Sequence, residues 1–447
     1  MRVLHVIPSL SAKDGGPSFA LPLMARGLAQ AGVEVDVLTT DGNGPPDNSN
    51  APVDHPDASR ITNHGSRITD HASRINYIHL KRQFQFYKVS FSMTRWLSRN
   101  IEHYDLVHIH ALFSYASTTA AWVAARHNVP YVVRPLGVLN RWGMENRRRW
   151  LKRLSFNLIE GRILRNATAI HYTSRQEQLE AEVAGVKTPP YVIPLGIDVS
   201  EFECLPHPDL FFAQFPQAAG RKIILFLSRI DAKKGLDLLL PAFAAVHRED
   251  PAALLVIAGT GDEPYVAELR ALAERLKISE QVIWAGFLSG QEKLAALAAA
   301  SVFALPSYSE NFGIAVVEAL ASGLPCVISD QVGIAPDVAV FEAGLIVACR
   351  VDALAAALKS LTGDSLLRKN LGENARRLAN RCFSTEAMTG SLISLYQGIA
   401  KGNCELRKGI ANCELRIANF EDCEMDGELR IGKGNCDLRI RKSPNSP

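Results

Sequence analysis

Short apolar runs punctuate this chain, each closed by a polar or glycine-containing turn and followed by apolar residues at helical spacing. Arg2–Ile7, Val33–Thr40, Tyr131–Arg134 and Ala167–Thr173 read this way in the first half. Lys222–Leu227, Leu254–Ala258, Val282–Phe287, Val302–Leu305, Cys326–Ser329 and Gly344–Cys349 do so in the second, with helices running on to Ala400. Brief apolar runs bounded by turns are buried strands, and strands alternating with helices predict parallel sheets. Asp105–His110 alternates its faces and puts His108 and His110 on the same one. Ser174-Arg175-Gln176-Glu177 and Ser289-Gly290-Gln291-Glu292 match capping boxes that open helices.

Two stretches break the pattern. Residues 41–76 collapse into Gly, Pro, Asn, Asp and His and contain a tandem repeat, Ser59-Arg60-Ile61-Thr62-Asn63-His64-Gly65 followed by Ser66-Arg67-Ile68-Thr69-Asp70-His71-Ala72. Beyond Lys401 another unit recurs, as in Asn403-Cys404-Glu405-Leu406-Arg407 and Asn412-Cys413-Glu414-Leu415-Arg416. Repetition supplies these histidines and cysteines without metal-ligand spacing, so a disordered insertion and a disordered tail are expected rather than metal sites. The expected organisation is an N-terminal domain over 1–198, a linker over 199–220, a second domain over 221–383, a helix over 384–400 packing back on the first domain, and the tail. A chain of 447 residues is too long for one ordinary core, which also points to two domains.

A formal charge of +3 without a basic stripe argues against nucleic acid as a partner. The apolar start is too short for a signal peptide, no run reaches the length of a membrane span, and Cys204, Cys326, Cys349 and Cys382 lack CxxC spacing. A cytoplasmic protein with free thiols is expected. One local excess stands out: residues 141–165 hold eight basic side chains against two acidic ones, with Leu151, Leu154 and Leu158 at helical spacing. This is either a solvated helix face or a surface for anionic lipid heads, attaching the protein peripherally to the inner face of the cytoplasmic membrane.

Candidate chemistry gathers in Pro306–Cys326. Glu310 falls in a strand-to-helix loop, where open α/β sheets bind ligands and a helix N-terminus favours phosphate. Glu318 lies in a helix apolar all round, where a carboxylate needs donors such as sugar hydroxyls. The plainer alternatives are a helix cap for Glu310 and a structural Arg partner for Glu318. Arg229 and Lys234 lie beyond a strand end, where two cations would stabilise a departing diphosphate. Loop cations are otherwise simply solvated. The loop Asp14-Gly15-Gly16-Pro17 does not spell a dinucleotide fingerprint and is either a close backbone approach to a ligand or a tight turn. His110 at its strand end is either functional or a satisfied structural histidine.

Glu310-x7-Glu318, with Asn311-Phe312-Gly313 and Ala319-Leu320-Ala321-Ser322-Gly323-Leu324-Pro325, resembles the retaining, nucleotide-sugar-dependent glycosyltransferases of family 4, or group 1. The resemblance covers most of the first 400 residues and includes the D-x-V-H-x-H run ending at His110 and the Arg-x4-Lys-Gly of Arg229 and Lys234. It implies an α/β fold of two Rossmann-like domains facing across a cleft, the GT-B fold. It also implies a catalytic set of Glu310, His110, Arg229 and Lys234. Gly16, Phe287, Asn311, Phe312, Gly313 and Glu318 would join Arg229, Lys234 and Glu310 in binding the donor. Glu318 would take the ribose, the loop at Phe287 would pass the nucleobase, and neither metal nor cofactor would be needed. The expected partners are a UDP- or GDP-sugar and a polysaccharide, lipopolysaccharide or lipid-linked acceptor of cell-envelope glycan synthesis. A nucleotide-sugar epimerase of the same fold, or a non-catalytic sugar-binding protein, are the alternatives.

Overall fold

The computed structural model describes residues 1–11, 16–40, 67–70, 75–84, 86–139 and 149–402. The tail beyond 402, most of the 41–76 insertion and residues Asp14, Gly15, Arg147 and Arg148 lie outside them.

The first sheet contains β1 (Arg2–Val6), β2 (Glu34–Thr40), β3 (Arg67–Asp70), β4 (Ile75–Leu80), β5 (Leu106–His110), β6 (Tyr131–Arg134), β7 (Ala169–Tyr172) and β8 (Pro190–Val192), in the order β3-β4-β2-β1-β5-β6-β7-β8. Among these strands only β3 runs antiparallel, against β4. The second sheet contains β9 (Lys222–Leu227), β10 (Ala253–Ala258), β11 (Val282–Gly286), β12 (Val302–Leu305), β13 (Cys326–Ser329) and β14 (Gly344–Val347), all parallel, in the order β11-β10-β9-β12-β13-β14. Helices cover both sheets, and the central strands are buried on both faces; those of the second sheet read as nearly unbroken apolar runs, whereas those of the first carry buried polar residues as well. Each sheet reverses direction once: the chain leaves β1 for β2 and later returns to its other side with β5, and it does the same around β9 with β12. Loops at such switch points diverge and leave a crevice beyond the carboxyl ends of the strands.

Five helices frame the crevice and the domain boundary: α1 (Gly16–Gln30), α2 (Arg175–Val183), α3 (Gly290–Ala299), α4 (Ile314–Ala321) and α5 (Thr385–Ala400). The last of these returns from the second domain to the first. Its Met388, Leu392, Leu395 and Tyr396 are buried with Leu21, Met24 and Leu28 of α1. The chain crosses between domains at two adjacent points, where Ile197 N–H donates to Phe383 O at 2.9 Å and Thr385 N–H to Ile197 O at 3.0 Å. A Cβ on Gly196 would meet Ser384 O at 2.7 Å, so glycine permits the crossing.

Several expectations need correction. Arg67–Asp70, inside the repetitive stretch, forms an edge strand, because Ile75–Leu80 beside it is a strand whose outer edge would otherwise be unpaired. The segment 199–220 is folded, with a short helix at Asp209–Gln214, and it buries Phe202, Phe211 and Ala218 in the core of the second domain. Ser289 occupies the N-cap position of α3 in extended conformation, but its side chain makes no cap bond. Cys204, Cys326 and Cys349 are free thiols.

Candidate active site

The switch point of the second sheet collects the charged candidates. The loop after β9 carries Arg229, Lys233 and Lys234, and the loop after β12 carries Glu310. Glycines hold these loops together. At Gly235 φ is +71°, in the left-handed region open to glycine, and a Cβ there would sit 2.0 Å from Pro306 O. Tyr308 N–H donates to Lys233 O at 2.7 Å and the Tyr308 hydroxyl to Asp237 at 2.7 Å. The Glu310 backbone is pinned on its other side, its N–H donating to Gln331 O at 3.1 Å and its carbonyl accepting from Gly333 N–H at 2.8 Å.

Lys234 and Glu310 form an ion pair, both side chains largely out of water. Arg229 is exposed on the same loop. The structure adds Lys233, which the sequence motifs do not single out. Burial, together with the neighbouring cations Lys234 and Arg229, holds its ammonium below the usual lysine range, so three cations share one small region with Glu310. The doublet Lys233-Lys234 is the signal that could have found it. Glu318 pairs with Lys293 of α3 at 2.7 Å, so the structural partner considered for it is a lysine and not an arginine.

Gly313 has φ +93° and caps α4; its carbonyl accepts from Val316 N–H at 2.9 Å and Val317 N–H at 3.2 Å, and the helix geometry leaves the N–H groups of Ile314 and Ala315 without an intrahelical acceptor. Phe312 is buried and packs edge-on against Phe383, 5.7 Å between centroids, so only its backbone could serve a ligand. Phe287 is 72% exposed just beyond β11. Gly16 begins α1 across the domain boundary; a Cβ there would lie 3.7 Å from Ile314 at the start of α4. Asn311 turns its side chain to the first domain, donating to Thr173 Oγ1 at 2.9 Å.

His110 is at the first sheet's switch point, but it is fully buried in a polar ladder the sequence did not reveal. His5 comes from β1, His108 and His110 from β5, Arg134 from β6, His171 from β7 and Tyr396 from α5. Ligating nitrogens of His5, His108 and His110 lie within 4.8 Å of one another, a spacing that could hold a metal ion. The hydrogen bonds oppose that use. Arg134 donates to His110 Nδ1 at 3.4 Å, so neutral His110 donates from Nε2 to His5 Nδ1 at 2.9 Å, leaving His5 Nε2–H without a partner. His171 Nε2–H donates to Ile193 O at 2.8 Å, so its Nδ1 accepts from His108 Nε2 at 3.3 Å, and His108 Nδ1 accepts from the Tyr396 hydroxyl at 2.7 Å. Every acceptor lone pair is thereby engaged, and the Arg134 guanidinium would repel an added cation. Burial pushes the imidazoles of His5 and His171 down to about 3, with Arg134 adding to the effect, and lowers His108 and His110 as well.

Comparisons with known proteins bear on the family and the fold. The sequence profile described as glycosyl transferase 4-like domain matches residues 15–196, and that described as glycosyl transferases group 1 matches residues 209–378. The chain is 35% identical over 149 residues to alpha-monoglucosyldiacylglycerol synthase of Streptococcus pneumoniae, which covers 32% of this chain and 33% of that protein. It is 34% identical over 190 residues to D-inositol 3-phosphate glycosyltransferase of Corynebacterium glutamicum, covering 41% of this chain and 45% of the relative. The matched stretches thus span a third to a half of these relatives. Among solved structures, a sucrose-phosphate synthase of Thermosynechococcus elongatus superposes with a TM-score of 0.68 at 23% identity, over 90% of this chain and 100% of that one. HepE of Anabaena, in complex with UDP and glucose, gives a TM-score of 0.67 at 18% identity, over 89% of this chain and 99% of that one. At such identities the likeness concerns the fold, two Rossmann-like domains in the GT-B arrangement.

Proposed function

This chain belongs to the group 1 glycosyl transferases, and from that premise we propose that it is a retaining enzyme that moves a sugar from a nucleotide-sugar donor to an envelope glycan or lipid-linked acceptor. The observation that carries the reading is the convergence of Arg229, Lys233 and Lys234 with Glu310 over the β9/β12 switch point. Without substrate, Lys234 is neutralised by Glu310. A diphosphate entering the crevice offers Lys234 a stronger partner, and the exchange releases the Glu310 carboxylate toward the sugar. As the bond from the anomeric carbon to the phosphate oxygen breaks, the cations and the first-turn amides of α4 stabilise the charge on the departing diphosphate. The acceptor oxygen bonds to the anomeric carbon on the same face, and its proton passes to the departing phosphate oxygen. These steps need no metal and no cofactor. Glu318, oriented by Lys293, suits the ribose hydroxyls, and exposed Phe287 suits the face of a base.

Two features bear on the acceptor. On the helix Arg149–Ser155 and the π-helical turn Phe156–Glu160 that continues it, Trp150 is 69%, Leu154 50% and Leu158 60% exposed. Their spacing puts them on one face, with Lys152 on the same helix and exposed Arg162 and Arg165 following in the next one, which is the composition of an interfacial helix. No helix among the described residues is long and apolar enough to cross a membrane. A surface-seated enzyme acting on a lipid-linked acceptor fits both, and several relatives are named for lipid acceptors. The epimerase reading ranks behind it, because these relatives are named for transfer or synthesis.

The test is incubation with a panel of UDP-, GDP- and ADP-sugars and a lipid-linked acceptor pool, with NMR of the new anomeric centre. Nucleoside diphosphate released with retained configuration in a glycoside supports the proposal. Free sugar or an epimerised donor as the only product would overturn it.

A further inference from the structure

The loop bearing Glu310 is gripped from outside its own domain. Asn311 Nδ2 donates to Thr173 Oγ1 at 2.9 Å and lies 3.4 Å from Glu177 Oε2, while Ser174 Oγ donates to Asn311 O at 3.1 Å. Only this orientation of the amide sets a donor against the carboxylate. Glu177 sits buried in the first turn of α2, where Ser174 caps it as the sequence indicated. Its carboxylate does not close the capping box on Ser174, however. It accepts from Thr173 N–H at 2.7 Å, from the Thr173 hydroxyl at 2.8 Å and from Gly137 N–H at 2.6 Å. One acidic side chain thus organises the ends of β6 and β7 into a surface that fits Asn311.

Glycines on both sides of the boundary make the fit possible. Gly137 has φ +71°, and a Cβ there would come 2.6 Å from Cγ and Oδ1 of Asn311. A Cβ on Gly333 would come 2.0 Å from Asn311 O and 2.8 Å from Ser174 Oγ. The fit has a weak point: Asn311 Oδ1 is buried without a partner. An orphan acceptor of this kind offsets much of what the cross-domain hydrogen bonds contribute, and opening the domains would return it to water. The contact is therefore specific in geometry and modest in strength.

We propose that Thr173 and Glu177 of the first domain are positioning residues for the donor-site loop, acting through Asn311 to register Glu310 across the domain boundary before any ligand arrives. This deepens the proposed glycosyl transfer and rests on it, since the loop's importance depends on the assignment of Glu310. Asn311, which the resemblance assigns to donor binding, acts here with its side chain turned away from the donor.

The test is hydrogen exchange of the full chain, without ligand, in Asn311→Asp and Thr173→Val. A carboxylate at 311 would face Glu177, and like charges so juxtaposed should raise exchange in segments 136–139 and 171–177 about tenfold, although the substitution is in the other domain. Thr173→Val removes one neutral partner and should raise exchange at 310–314 about fivefold. Effects confined in both variants to the substituted domain overturn the proposal. Once a donor is known, Asn311→Asp should lower kcat about tenfold while UDP or GDP affinity stays within about twofold, because in the proposed site the base, ribose and diphosphate are held by Phe287, Glu318 and the loop cations, whose positions in the second domain do not depend on this contact. Equal losses in both would also overturn it. Cross-domain exchange changes in a protein that transfers no sugar would remove the functional reading and leave the coupling standing.

Discussion

The two domains share a topology and differ in what lies at their switch points. In the second domain, β9, β12 and β13 are apolar except for Lys222 and Ser329 at strand ends, and Arg229, Lys233, Lys234 and Glu310 stand beyond the strands, on loops at the crevice. In the first, the charge and polarity are inside: four histidines, an arginine and a tyrosine replace apolar residues on β1, β5, β6, β7 and α5, all buried. The same architecture thus serves two purposes. The second domain keeps a dry core and places its charged groups on the loops at the crevice, where the proposed donor would meet them. The first encloses a hydrogen-bonded ladder of neutral imidazoles beside the Arg134 guanidinium, which ties α5 to the sheet through Tyr396 and His108.

The largest expected effect follows from that contrast. The buried histidines are neutral when folded, with His5 and His171 at about 3, whereas unfolding returns them to an ordinary value near 6.5. Between those limits the unfolded chain binds more protons, so stability falls as pH drops below about 6.5. Each histidine contributes at most about 1.4 kcal/mol per pH unit, and four together several kcal/mol by about pH 5. Limited proteolysis at graded urea and pH should find the first domain opening first on acidification. Parallel loss of both domains would erase the contrast.

A smaller effect is expected at Lys293. Replacing it with Met leaves Glu318 partly buried, unpaired and no longer oriented toward the proposed ribose position, and UDP or GDP affinity should fall about tenfold by calorimetry. Unchanged affinity would remove Glu318 from the nucleotide site. Smaller still, Trp150→Ser together with Leu154→Ser should reduce co-sedimentation with phosphatidylglycerol vesicles by about fivefold to tenfold at low salt. Equal binding would return that helix to an ordinary solvated face.

Legibility in the sequence followed the same division. The second domain could be read strand by strand, Lys222–Leu227, Val302–Leu305 and Cys326–Ser329 to the residue, because a dry parallel sheet demands unbroken apolar runs. The positions of Glu310, Arg229 and Lys234 beyond strand ends were legible because the strands before them could be read, and their role there is the proposal made above. The first domain's ladder was not. His5 meets His110 across 105 residues and His108 meets Tyr396 across 288, separations no periodicity reports. The missed signal was the histidine itself at strand positions that should be apolar. Ile75–Leu80 escaped notice because the repetitive text before it masked its start, and Glu177 passed as a helix cap because its partners at Gly137 and Asn311 belong to other elements.

The central claim is that the second domain's crevice transfers a sugar with Glu310 and Lys234 as working groups. The most direct measurement is the turnover of nucleotide sugar by the native chain against Glu310→Gln and Lys234→Ala, both checked for folding by circular dichroism. Loss of one such electrostatic contact removes about 3 kcal/mol of transition-state stabilisation, so each variant should retain no more than roughly one part in a hundred of the native rate. Near-native turnover in both, with the fold intact, would contradict the account.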